Sequence, residues 1–135
     1  MRRSSPYLLA ALLATAGTAH LLAPEPYARI VPRQLPAPTA LVYLSGVAEL
    51  ACAGGLLFTR TRRAAAISTA VLFVAVFPAN VQMAVDATGR SPGYQTLTWA
   101  RLPLQIPLIA WAVQAARAAA PSSGWAGGRA RPTRQ

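Results

Sequence analysis

His20, Glu49, Asn80, Arg101 and Gln105 interrupt otherwise apolar stretches of the chain, one or two to a stretch. A charged group in hydrocarbon costs several kcal/mol unless it is paired, so such residues normally face a bundle interior or a wet cavity. Their types define the chemistry open to them. His20, Arg101 and Gln105 can hydrogen-bond a carbonyl or an anion, and Glu49 can balance charge or move a proton. One histidine, one cysteine and one such carboxylate on separate stretches make no metal-site spacing, and no haem-ligand pair or iron–sulfur motif occurs. Cys52, the single cysteine, rules out an intrachain disulfide or a CxxC dithiol and reads as a small apolar filler. A redox role would have to borrow its electron carrier.

The elements that must hold these groups are apolar. The chain has 135 residues, one domain by length, with 54% hydrophobic and 12% charged residues. Charged residues supply about a quarter of an ordinary globular chain, so this is a membrane-protein composition. The formal charge of +10 does not point to nucleic acid, because the basic residues form short clusters between apolar runs without aromatic interleaving or zinc-ligand spacing. All 13 basic residues are arginine, which with abundant Ala and Pro fits a GC-rich bacterial source.

Four runs have roughly the 17 to 25 residues that a bilayer core asks of a helix. They are 7–23, 39–58, 64–85 and 99–120, the last starting somewhere between Thr96 and Leu102. Five prolines between Pro24 and Pro38 predict a loop without regular helix. Gly89, Pro92 and Gly93 predict a turn-rich link, and 121–135 reads as a flexible basic tail that fixes topology and meets anionic headgroups. Arg2, Arg3 and Ala14-Thr15-Ala16 also imitate a cleaved signal peptide; the apolar run continues past that site to Leu22, which favours a retained helix. The arginines set orientation. Arg2, Arg3, Arg60, Arg62, Arg63, Arg117, Arg129, Arg131 and Arg134 fall on one side, and only Arg29, Arg33, Arg90 and Arg101 on the other, so both termini are expected in the cytoplasm. The fold expected is all-α, a four-helix transmembrane bundle, N-in and C-in.

At a rise of about 1.5 Å per residue, all five polar groups fall in the outer half of the bundle, with Glu49 roughly 15 Å below the outer surface. Arg101 and Gln105 share a face at i, i+4, with Pro103 and Pro107 near the opposite one. Pro78 and Pro107 free the carbonyls of Val74 and Pro103, predicting bends beside the cluster. Small residues on the second run, with Ala51/Gly55 at small-xxx-small spacing, and Gly17 on the first allow close helix approach. For Glu49 two readings stand: a structural ion pair with Arg101, and a proton-carrying or ligand-binding carboxylate. His20 is either a satisfied interfacial histidine or a proton acceptor. Asn80 and Gln105 are either interhelical hydrogen-bonding groups or ligand contacts, and Tyr27, Tyr94 and Trp99 read as interfacial anchors.

The stretches AGTAHLLAPEPYARIVPRQLP, SGVAELACAGGLL, FPANVQMAVD and RLPLQIPLIAWA resemble the DoxX-like family of small bacterial membrane proteins. The resemblance covers all four spans and implies a four-helix integral membrane protein with His20, Glu49, Asn80, Arg101 and Gln105 at recurrent polar positions. It further implies association with membrane redox and oxidative-stress systems, in which this chain would hold a quinone or assist an oxidoreductase partner without catalytic activity of its own. A homodimer is a further expectation, the lipid bilayer is the expected partner, and no nucleic acid is expected. A small-solute transporter and a structural anchor for partner proteins are the competing readings; four spans without an internal repeat lack the paired halves of alternating access.

Overall fold

The computed structural model describes residues 5–121, and all regular secondary structure among them is helical. The elements are α1 (Ser5–Leu22), α2 (Pro24–Ala28), α3 (Pro38–Leu57), α4 (Arg62–Ala75), α5 (Phe77–Asp86) and α6 (Pro92–Ala118). The tail beyond Pro121, with Arg129, Arg131 and Arg134, and the leading Arg2 and Arg3 lie outside the described residues.

Proline placement marks where four of the helices begin. Pro24, Pro38, Pro78 and Pro92 occupy the first or second position of α2, α3, α5 and α6, where no intrahelical donor is required and the fixed φ is already helical. Two expectations are corrected on this ground. The 24–38 segment is not all loop, because Pro24 and Pro26 both fit the first turn of the five-residue α2. The last helix begins at Pro92, several residues before the expected Thr96 to Leu102, because Pro92 starts a helix here and does not belong to a turn. The turn before it is real and centres on Gly89, whose φ of 89° suits a residue without Cβ.

Inside helices, proline acts differently. Pro78 cannot donate to Val74, and the third apolar run breaks at Val76 into α4 and α5. Pro103 and Pro107 lie within α6 without interrupting it.

Helix α1 packs antiparallel on α3, α3 on α4, and α4 and α5 on α6, with α2 laid against α3. The core is built from Leu9 and Leu13 of α1, Cys52, Ala53 and Leu56 of α3, Ala65, Ala66 and Phe73 of α4, and Ala112, Ala115 and Ala116 of α6. Alanines dominate it, and small side chains let helix axes approach closely. The closest approach lies between Gly17 and Gly46: a Cβ on Gly46 would stand 2.9 Å from His20 Cβ and 3.0 Å from the Gly17 carbonyl oxygen. Gly55 serves α4 instead, facing Ala65, while Ala51 is exposed. The expected Ala51/Gly55 pair is therefore not one contact face.

The exterior is apolar. Helix α3 and the joined α4–α5 segment, Arg62–Asp86, are long and apolar enough to cross a membrane, and only 33% and 28% of their most apolar windows are buried. A core helix of a soluble protein hides most of its surface; here Leu44, Val47, Val71, Val74 and Val85 all point outward.

One end is closed by side chains. Arg62 Nε donates to the Leu56 carbonyl at 2.8 Å, its terminal nitrogen donates to the Leu57 carbonyl at 3.1 Å and contacts Tyr7 Oη at 3.3 Å. Thr61 Oγ1 donates to the Gly55 carbonyl at 2.8 Å. Three carbonyls that the end of α3 would leave orphaned are thus capped, and the guanidinium also lies 5.3 Å from the Tyr7 ring centre, which ties α3 to the start of α1.

Candidate functional site

The five sequence-selected residues separate into two groups and one outlier. The first group lies between α1 and α3. The Gly17/Gly46 approach brings the last turn of α1 against the middle of α3, so that His20 Nδ1 stands 3.1 Å from Glu49 Oε2. Glu49 is buried, and its second oxygen accepts a long hydrogen bond from Ser45 Oγ at 3.4 Å, one helical turn earlier. On its other side His20 meets the edge of Tyr27, with ring centres 4.2 Å apart and planes at 86°. Helix α2 carries Tyr27 there. Tyr27 therefore belongs to the site and is not a free interfacial anchor.

The proximity of His20 and Glu49 is not a finished hydrogen bond. Nδ1 and Oε2 are close but out of line, and each is buried with no hydrogen-bond partner among the described residues. Buried polar atoms are nearly always satisfied by protein or ordered water. Two facing, unfilled valences on an acid and a base are therefore the chemical signature of this site.

The second group lies between α5 and α6, next to the α4–α5 break. Asn80 Nδ2 donates to Gln105 Oε1 at 3.0 Å, and Gln105 Nε2 donates in turn to the main-chain carbonyl of Phe73. The break at Pro78 was expected to free a carbonyl that a neighbour would satisfy; the one taken up is Phe73, a residue ahead of Val74. Both amides are buried, and the relay ends on backbone.

Arg101 joins neither group. It is exposed and makes no ion pair among the described residues, so the expected Glu49–Arg101 bridge is replaced by His20–Glu49. The buried residues of α6 include Thr98, Gln105 and Ala112; Arg101 shares their face by residue count, yet its side chain is exposed. Pro103 and Pro107 do face outward as expected. Cys52 is a free thiol in the core, and Gln82 turns outward to bond Asp86 at 2.9 Å.

Sequence reasoning missed the partners supplied by backbone and by the short helix. Nothing local marks the Phe73 carbonyl as an acceptor. Tyr27 carried a usable signal, because two prolines at the start of PEPYA favour a helical turn at the exit of α1. Among the described residues no group of three or more His, Cys, Asp or Glu side chains is placed to hold a metal.

The profile of a family described as a domain of unknown function, DUF8561, matches residues 9–116. The chain belongs to that family. The match runs from the first turns of α1 to the last turn of α6, so the DUF8561 domain contains both polar groups and the whole helical core. Among curated proteins and solved structures, none matches the chain.

Proposed function

We propose that this DUF8561 chain is a DoxX-like, four-helix integral membrane protein of the bacterial plasma membrane. Its four spans are α1, α3, α4–α5 and α6, with both termini in the cytoplasm. Support comes from the outward apolar faces of α3 and α4–α5, from the apolar run of α1 between Pro6 and Leu22, and from the arginine bias of the chain. The spans leave α2 and the 86–92 link on the outer side.

In this reading the His20–Glu49 site holds a small ligand, a quinone or another compact molecule, and serves a membrane redox or oxidative-stress system as an accessory component. The observation that carries it is the buried pair His20 Nδ1 and Glu49 Oε2, 3.1 Å apart without an aligned hydrogen bond to each other or to another described residue. A ligand hydroxyl, such as that of a quinol, that accepts from His20 Nδ1 and donates to Glu49 Oε2 serves both, whereas a quinone carbonyl, which only accepts, serves His20 alone. Asn80 donates to Gln105, and Gln105 to the Phe73 carbonyl, so in this reading they brace the bundle. A purely structural anchor would show that closed arrangement in both places, and a transporter would need a second copy to supply its other half.

The test is unbiased identification of small molecules that co-purify with the chain in mild detergent, wild type against Glu49→Gln. A compound retained by wild type and lost from the folded variant supports the reading. Identical extracts from both sink it and favour the anchor. Labelling on intact cells checks the orientation: positions 30 and 90 should react from outside and Gln135 should not.

A further inference from the structure

A groove of about 370 Å³ opens on the outside of α4 and α6, lined by Ala70, Val71, Val74, Ala75 and Ile109 without a polar group. Val71 and Val74 are largely exposed beside it, so it faces whatever surrounds the bundle. Alanines at 70 and 75 hollow it where larger residues would make the helix pair flush.

The groove has a charged end. Gln105 meets Phe73 and Ile109 lines the groove with Ala70, so α4 and α6 run antiparallel and the start of α4 lies toward the end of α6, where Arg63 and Arg117 stand exposed and without an ion-pair partner among the described residues. Arg62 is committed to the α3 carbonyls, whereas Arg63 and Arg117 are not. The chain has only three acidic residues, and none lies at this end: Glu25 is on α2, Glu49 is mid-α3 and Asp86 closes α5. Along α4, Arg63 is about 10 to 18 Å from Ala70 to Ala75, and along α6 Arg117 is about 12 Å from Ile109, at about 1.5 Å rise per residue. The hydrocarbon half-thickness of a bilayer is about 15 Å. Both helices thus put the same offset between cation and groove, and it is the offset between a lipid phosphate and the middle of its acyl chain.

We infer that this face holds one anionic phospholipid, its phosphate between Arg63 and Arg117 and an acyl chain in the α4–α6 groove. Charge selects the lipid class and the apolar hollow orders the chain. The inference rests on the membrane reading above, but not on the His20–Glu49 site.

Native mass spectrometry of the full chain in mild detergent, offered an equal mixture of phosphatidylglycerol and phosphatidylcholine, tests it. Two arginines near the headgroup predict roughly a tenfold preference for phosphatidylglycerol or more. Arg63→Gln/Arg117→Gln, exposed changes that leave the core alone, should bring that preference close to one. Val71→Trp, which points outward over the groove, should lower retention of both lipids while keeping the preference. Equal retention of the two lipids by wild type overturns the inference, as does a preference that the arginine variant leaves intact. A two-chain species that excludes lipid and dissociates with Val71→Trp would assign the groove to a second copy instead. A chain that stays monodisperse without detergent removes the membrane reading itself, an outcome distinct from all of these.

Discussion

The α1–α3 crossing and the α5–α6 crossing each bury two polar side chains, yet they finish differently. At α5–α6 the donation runs from Asn80 to Gln105 to the Phe73 carbonyl and stops on the main chain. At α1–α3 an acid and a base approach to 3.1 Å and leave the facing atoms unfilled. Burial alone therefore does not mark a binding site. Hydrogen-bonding capacity left over does, and among the described residues the fully buried side-chain atoms without a hydrogen bond are His20 Nδ1 and Glu49 Oε2.

The comparison breaks most readily at Gly46. A side chain there must displace the Gly17 carbonyl and His20 Cβ, both within 3.0 Å of its first carbon, and one of them is backbone that has nowhere to go. Gly46→Leu should cost at least about 1–3 kcal/mol, the usual penalty of overpacking, read as a lowered thermal midpoint in detergent. An unchanged midpoint would mean that the two helices are not held this closely.

Next in size is Gln105→Leu. It strands the Asn80 amide and the Phe73 carbonyl together, at about 1–3 kcal/mol for buried groups left unmade. Glu49→Gln should cost less, since the carboxylate holds only a 3.4 Å bond to Ser45 and an unaligned contact to His20; interhelical polar contacts in membranes average about 0.6 kcal/mol. If the Glu49 variant proves the less stable of the two in thermal unfolding, the roles of brace and site are reversed.

The smallest effect is expected at Arg101. Its side chain is exposed and apart from Glu49, so Arg101→Gln should change stability by no more than about 0.5 kcal/mol. Combined with Glu49→Gln it should be additive within about 0.3–0.5 kcal/mol. A coupling clearly above that, from denaturation of the two single variants and the double variant, would restore the ion pair that the sequence had suggested.

Why the sequence misjudged that pair is a matter of angle. Counting residues along a helix gives an axial position, and Glu49, Asn80 and Gln105 are indeed buried within their helices. It does not give the direction from which a neighbouring helix arrives. By residue count Arg101 shares the face of Gln105, four residues on, yet it is exposed and Glu49 meets His20 instead. Apolar runs bounded by charge were legible almost to the residue, as α3 shows: 39–58 expected, Pro38–Leu57 observed. Proline misled in proportion to its ambiguity. At Pro78, where a bend is expected, the helix breaks in two, while Pro24 and Pro92 start helices where a loop and a turn are expected, because the same missing donor suits a first turn as well as a break. The Phe73 carbonyl was beyond reach, since backbone acceptors carry no side-chain label.

The cap formed by Arg62 bears on the far end of the molecule. Arg62 pins the start of α1 to the end of α3 through Tyr7, and Gly17 meets Gly46 ten residues further along α1. Two fastenings about 15 Å apart make the helix pair a stiff frame that neither slides nor rolls. The 3.1 Å contact of His20 with Glu49 is then held largely by the approach of two helix backbones, and a change that parts the two side chains has to move main chain first.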